Sequence, residues 1–151
     1  MRYIVLSDTH GNKAGVKELL SKVEHDGVIF CGDGEGDFES LEQNIHMVKG
    51  NCDFFSKLPT VITTDICGQK VFITHGNMFG VKSGIGALMN EAEKEKANLV
   101  IFGHTHIPYV KNINNITYLN PGSFKRGINA NSTYATVDFE DNKFFINIVE
   151  F

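Results

Sequence analysis

Four stretches of this chain close in clusters of aspartate, histidine, asparagine and glycine: Asp8-Thr9-His10-Gly11, Gly32-Asp33-Gly34, Gly50-Asn51-Cys52-Asp53 and Gly103-His104-Thr105-His106. Thr74-His75-Gly76 is a fifth of the same form. Taken singly, most have an ordinary reading. Asp8 can be a helix-capping carboxylate beside a surface His10, Gly32-Asp33-Gly34 and Gly50-Asn51 can be turns, and His75 can be a hydrogen-bonded core histidine. His104-Thr105-His106 is the strongest single piece. Jointly the ordinary readings weaken, since four of the six histidines fall inside three of the clusters. His25 and His46 lack such company and read as surface or structural residues.

The elements that must position these groups follow from hydrophobic periodicity. Arg2 to Leu6, Val28 to Cys31, Ile45 to Val48 and Leu99 to Phe102 are short apolar runs that read as buried strands, each running into one of the clusters. Val61 to Ile66 and Lys70 to Thr74, joined through Gly68, read as a hairpin whose second arm runs into His75. Asn12 is placed to cap a helix from Lys13 to Glu24, with Val16, Leu19, Leu20 and Val23 at three- and four-residue spacing. Ile85 to Ala97 reads as a second helix, its Glu91 to Lys96 charges forming a solvated face. From Tyr109 onward the pattern is short alternating strands with turns at Asn114-Asn115 and Asp141-Asn142.

If the cluster-bearing strands lie side by side and share a direction, all five clusters meet at one sheet edge, where open α/β sheets bind ligands. Four imidazoles and at least two carboxylates in one small volume need a cation to hold them together. Nitrogen and oxygen donors without thiolate suit Mn, Fe, Co, Ni or Zn. The seven donors Asp8, His10, Asp33, Asn51, His75, His104 and His106 are too many for one tetrahedral ion. Two ions are the economical number. A carboxylate can bridge them, and a pair about 3.5 to 4 Å apart can clamp the attacking and leaving oxygens of an in-line displacement, the geometry of phosphoryl transfer.

Composition sets the bounds. With 151 residues, 42% apolar and 21% charged, the chain reads as one domain, 1–151, with a single sizeable core. A net charge of −4 and no basic cluster beyond Lys125-Arg126 argue against polymeric nucleic acid as a partner. No apolar run approaches the roughly 20 residues of a membrane span, and the segment before Ser7 is too short for a secretory signal. Three cysteines without CxxC spacing suggest neither disulfides nor a thiolate zinc site. A cytoplasmic location is the expectation.

The ordered set Asp8-x-His10, Gly32-Asp33, Gly50-Asn51, Thr74-His75-Gly76 and Gly103-His104-Thr105-His106 closely resembles the calcineurin-like metallophosphoesterase superfamily. Ser7 to Asn12, Gly50 to Asp53 and Asn120-Pro121-Gly122-Ser123 resemble in particular its small single-domain prokaryotic phosphodiesterases. The resemblance, running to about Ser123, implies an α/β fold: a four-layer α/β/β/α sandwich of two mixed sheets flanked by helices. It implies Asp8, His10 and His106 on a first ion, Asn51, His75 and His104 on a second, and Asp33 bridging. Both would be divalent transition metals, Mn first, with Ni, Fe, Co or Zn as alternatives. Asp33, Asn51 and His75 would then act through a metal-bridging water or hydroxide on a small-molecule phosphodiester, and no protein nucleophile is required.

Larger members of the superfamily have a histidine after the asparagine ligand, thought to protonate the leaving group, where this chain has Cys52. A thiol of ordinary pKa suits that task poorly. The departure points to diesters and good leaving groups, or else Cys52 is simply a small packed residue. Asp53 reads as a group that orients a ligand. Asn12 either touches substrate or only caps its helix. Asp37 supports Asp33 or is solvated. Lys125 and Arg126 attract an anion or lie in a solvated loop. Two other functions stay open: a protein-binding scaffold of the same fold, as in a retromer subunit with a degraded metal site, and a nucleotide-specific phosphohydrolase. A homo-oligomer is also open.

Overall fold

The structure, a computed structural model, describes residues 1–38, 44–127 and 131–151. The first sheet holds β1 (Arg2–Leu6), β2 (Gly27–Phe30), β3 (Ile45–Met47), β9 (Thr133–Glu140) and β10 (Lys143–Glu150) in the order β10-β9-β1-β2-β3. The second holds β4 (Val61–Ile66), β5 (Gln69–Thr74), β6 (Leu99–Ile101), β7 (Tyr109–Ile113) and β8 (Ile116–Asn120) in the order β4-β5-β6-β8-β7. In each sheet three adjacent strands run parallel (β1, β2 and β3; β5, β6 and β8); β9 and β10 extend the first sheet by antiparallel pairing on one side, and β4 and β7 flank the second as antiparallel edges.

The continuous apolar runs are explained by burial on both faces. Val5 and Ile29 of the first sheet meet Val71, Ile73, Leu99 and Leu119 of the second in the core between the sheets. Their neighbours Ile4, Leu6, Val28 and Phe30 point the other way, onto Val16 and Leu19 of α1 (Lys13–Lys22). Phe72, Val100 and Tyr118 likewise pack on Leu88 and Ala92 of α2 (Gly86–Lys94). The layers are therefore helix, sheet, sheet, helix. Both helices stop short of their expected ends. Val23, though apolar and in register, is already extended at φ −106°, ψ 118°, and Lys96 turns left-handed at φ 54°.

Three two-residue hairpin loops share one geometry: Cys67-Gly68, Asn114-Asn115 and Asp141-Asn142 all have positive φ at both residues. That pattern matches the right-handed twist of the flanking strands. No helix among the described residues is long and apolar enough to cross a membrane.

The five clusters do not share one sheet edge. Those after β1, β2 and β3 belong to the first sheet and those after β5 and β6 to the second. They meet because the parallel strands of the two stacked sheets present their carboxyl ends on the same side of the sandwich.

Candidate metal centre

Backbone hydrogen bonds draw the loops together. Asp8 N–H donates to Gly32 O at 3.0 Å and His10 N–H to Asp33 O at 3.1 Å within the first sheet, while Gly103 N–H donates to His75 O at 3.0 Å within the second. Side chains then join the sheets. His104 N–H donates to Asp8 Oδ2 at 3.0 Å, and the His75 ring bonds the Cys31 carbonyl at 2.6 Å. Gly103 has no room for a side chain, because a Cβ there would strike Ser7 Oγ and Asp8 Oδ2.

Five of the seven expected donors, Asp8, His10, Asp33, His104 and His106, sit at positive φ between 40° and 69°. Non-glycine residues rarely adopt that region, and such strain collects at functional sites.

The first group of donors is Asp8, His10 and His106, whose ligand atoms lie within 4.8 Å of one another. Asp8 is wholly buried. Its Oδ2 accepts from Ser7 Oγ at 2.5 Å and from the His104 N–H. Its Oδ1 is 3.0 Å from His106 Nε2 and 3.7 Å from His10 Nε2, yet neither Asp8 Oδ1 nor His10 Nε2 makes a hydrogen bond among the described residues. Burying unpaired polar atoms is costly, and a cation among these three donors would relieve the cost.

The second group surrounds His75, itself buried. A carbonyl can only accept, so its bond to Cys31 O puts a proton on His75 Nδ1, and in the neutral ring Nε2 carries the lone pair. That lone pair faces Asn51 Oδ1 at 3.0 Å, His104 Nδ1 at 3.1 Å and Asp33 Oδ2 at 3.3 Å. Acceptors pointed at one another repel unless a proton or a cation lies between them. Asp33 Oδ1 is occupied by the Cys52 N–H at 2.7 Å, whereas Oδ2 is 3.3 Å from His75 Nε2 and 3.8 Å from His10 Nε2, between the two groups. The residues present therefore fit a pair of divalent ions.

In the metal-free chain the ionisable donors shift one another. Burial pushes the Asp33 carboxyl up, but hydrogen bonding to His75 and to Cys52 outweighs it and holds the group at about 2, so it is ionised at neutral pH. Burial opposes a charge on His75, yet Asp33 and Asp8 raise its pKa above the ordinary value. His104 is lowered by burial, by His75 and by Lys82, which keeps its ring a neutral donor. Asn51, Cys52 and His106 are exposed, so the centre is buried at its floor and open at its mouth.

Several groups that hold the loops carry little signal in the sequence. Asp37, read as supporting Asp33 or as solvated, is buried and does neither: its Oδ2 accepts from Thr9 Oγ1 at 2.5 Å and Gly11 N–H at 2.9 Å, clamping the Asp8–His10 loop. Asp53 accepts four backbone N–H groups, from Asp33, Gly34, Glu35 and Gly50, at 2.7 to 3.1 Å, and so ties two loops without touching a donor side chain. Asn120 Nδ2 donates to Gly103 O and Thr105 Oγ1, and Ser123 Oγ donates to Asp8 O at 2.9 Å. Asn12 caps α1 through Gly15 N–H and donates to Phe124 O at 2.8 Å, which accounts for both ends of its side chain. His46 stacks on Tyr3, a structural role. Lys125 lines a cleft beside His106, while Arg126 faces another beside α1. A wide cleft around Met1, Arg2 and Asp138 lies at the opposite end of β1 and contains none of the donors.

A two-sheet sandwich whose strand ends gather carboxylates, an amide and imidazoles defines a metal-binding α/β protein. The chain belongs to the calcineurin-like phosphoesterase superfamily, whose domain profile matches residues 1–142. The Phosphodiesterase YfcE of Escherichia coli is 33% identical over 152 residues, covering 82% of this chain and 79% of that protein. The crystal structure of a conserved predicted phosphoesterase from Streptococcus pneumoniae superposes with a TM-score of 0.84 at 30% identity, over 99% of this chain and 88% of that one. Vps29 from Entamoeba histolytica superposes at 0.81 with 20% identity, over 100% and 99% of the two chains, a likeness of fold alone.

Proposed function

We propose that this metallophosphoesterase hydrolyses a small-molecule phosphodiester with two divalent ions, Mn first among them. Asp8, His10 and His106 would hold one ion, Asn51, His75 and His104 the other, and Asp33 both. The observation that carries the reading is the position of Asp33 Oδ2 between two donor groups, beside the unpaired Asp8 Oδ1 and His10 Nε2. When bound, such ions lower the pKa of water and neutralise charge on a phosphoryl group. Asp33, ionised across the neutral range, supplies the shared negative charge. The bond from His75 Nδ1 to the Cys31 carbonyl fixes the ring and aims its Nε2 at the centre.

The diester reading rests on Cys52 and on the named activity of the Escherichia coli relative. Burial first, then Asp33 and Asp53, push the Cys52 thiol above its ordinary pKa, which makes it a poorer proton donor still. A leaving group here must depart with little protonation, which suits diesters of acidic alcohols better than simple monoesters. Three free cysteines support a reducing, cytoplasmic setting.

The test is to strip the protein with chelator, restore Mn²⁺, and compare bis-p-nitrophenyl phosphate with p-nitrophenyl phosphate. Activity restored on the diester in preference to the monoester is the expected result; a clear monoester preference would overturn the substrate assignment. One other reading is a binding scaffold of the same fold, the fold that Vps29 shares. A protein that takes up no Mn²⁺, Ni²⁺ or Zn²⁺ and hydrolyses neither ester would support it against the hydrolase.

A further inference from the structure

Beside the centre lies a cleft of about 480 Å³, within the range of small-molecule sites. Its walls include Ile85, Phe102, Ile107 and Tyr109, with Thr105 and Lys82 as its polar members. Phe102 and Val81 at its floor are buried in the cluster that packs the second sheet on α2, with Ile85 and Tyr109 against them, so the floor is pre-formed. Thr105 and Ile107 alternate along the chain with His104 and His106, which makes the cleft and the centre two faces of one loop. Ile107 is 66% exposed, an apolar side chain at the rim. The Thr105 hydroxyl already accepts from Asn120 Nδ2 at 3.0 Å and Ile107 N–H at 3.2 Å, so the polar side of that wall is taken up within the protein.

Lys82 is exposed and makes no ion pair or hydrogen bond among the described residues, yet it is near enough to His104 to oppose protonation of that ring. An unpaired cation next to the donors, with apolar walls beyond it, matches a phosphodiester anion that carries an apolar arm. The clefts on the other sides suit such an arm less well. Both are smaller: the one beside Cys52, about 370 Å³, sets Glu35 and Asp53 around Phe54, and the one beside His106, which Pro108 and Lys125 line, holds about 300 Å³.

We infer that this cleft receives one ester arm of the substrate and selects diesters whose arm is an apolar alkyl or aryl group. The inference rests on the phosphodiesterase reading above. Lys82 contributes attraction for the phosphoryl anion, and Ile107 with Tyr109 sets the preference for the arm.

The Mn²⁺-loaded protein is titrated by calorimetry with dimethyl phosphate and with hexyl methyl phosphate, both slow enough to hydrolyse to serve as plain ligands. In parallel, KM is measured for methyl and hexyl p-nitrophenyl phosphate, which share a leaving group. Tenfold or more tighter binding of the hexyl ligand, and a matching fall in KM with little change in kcat, is the expected result. Ile107→Asp should bring the hexyl-to-methyl ratio close to one, while Lys82→Gln should weaken both ligands alike and keep the ratio. Phe145→Ser, at the remote cleft, should retain the wild-type ratio. Equal binding of the two ligands, or a ratio unmoved by Ile107→Asp, would overturn the inference. Hexyl preference in binding without hydrolysis of either nitrophenyl ester would instead count against the phosphodiesterase reading while leaving the cleft intact.

Discussion

At the scale of single residues, Asp33 and His75 form one charge system. Asp33→Asn or His75→Ala should lower kcat on the diester by more than about a hundredfold, beyond what loss of a supporting group costs, while circular dichroism remains that of the folded chain. Metal analysis of the same variants should show fewer ions per chain; undiminished activity in either would contradict the assignment. In the metal-free protein the shift of Asp33 to about 2 also links stability to pH. Its folded pKa lies below its unfolded value, so its contribution of about 2 kcal/mol is present above pH 4 and is lost as pH falls from about 4 to 2. Urea midpoints across that range should decline more steeply for the native chain than for Asp33→Asn. Asp37 and Asp53 show what residue types alone conceal. Each is an unremarkable carboxylate in a polar stretch, and its role depends on N–H and O–H groups up to 28 positions away. Asp37→Ala should cost about 10- to 100-fold in activity or metal affinity by releasing the Asp8–His10 loop.

At the scale of elements, α1 is anchored by a side chain used twice. Asn12 Oδ1 caps the helix and its Nδ2 holds Phe124, a fully buried ring in the layer beneath α1. Asn12→Ala should therefore lower stability by about 1 to 2 kcal/mol, read as a lower urea midpoint at unchanged slope, with KM for the diester little altered. A large rise in KM without loss of stability would restore the substrate-contact reading of Asn12. The strands were legible because apolar runs bounded by glycine and asparagine leave few choices. Their partners were not, since pairing depends on distant segments such as β9, which reaches back to lie against β1.

At the scale of the whole molecule, the centre is a contact between two sheets, so bound ions should act as staples across the sandwich. Metal at a hundredfold over its dissociation constant stabilises a fold by about 2.7 kcal/mol, which in a domain of this size raises Tm by roughly 5 to 10 °C. Scanning calorimetry with and without chelator measures this directly. An unchanged Tm would mean that the donors do not hold metal in the folded state.

Donor identity, donor order and the strand ends that bear them were determined by the sequence itself, because motif chemistry is local: a carboxylate or imidazole after an apolar run keeps its character wherever the run is placed. That the clusters come from two sheets and not one edge, that Asp33 Oδ2 falls between two groups, and that Asp37 is a buried clamp were decided only by the tertiary structure. Those facts depend on the packing of one sheet's inner face on the other's and on left-handed turns at Asp8, Asp33, His104 and His106, which the closed structure holds in place.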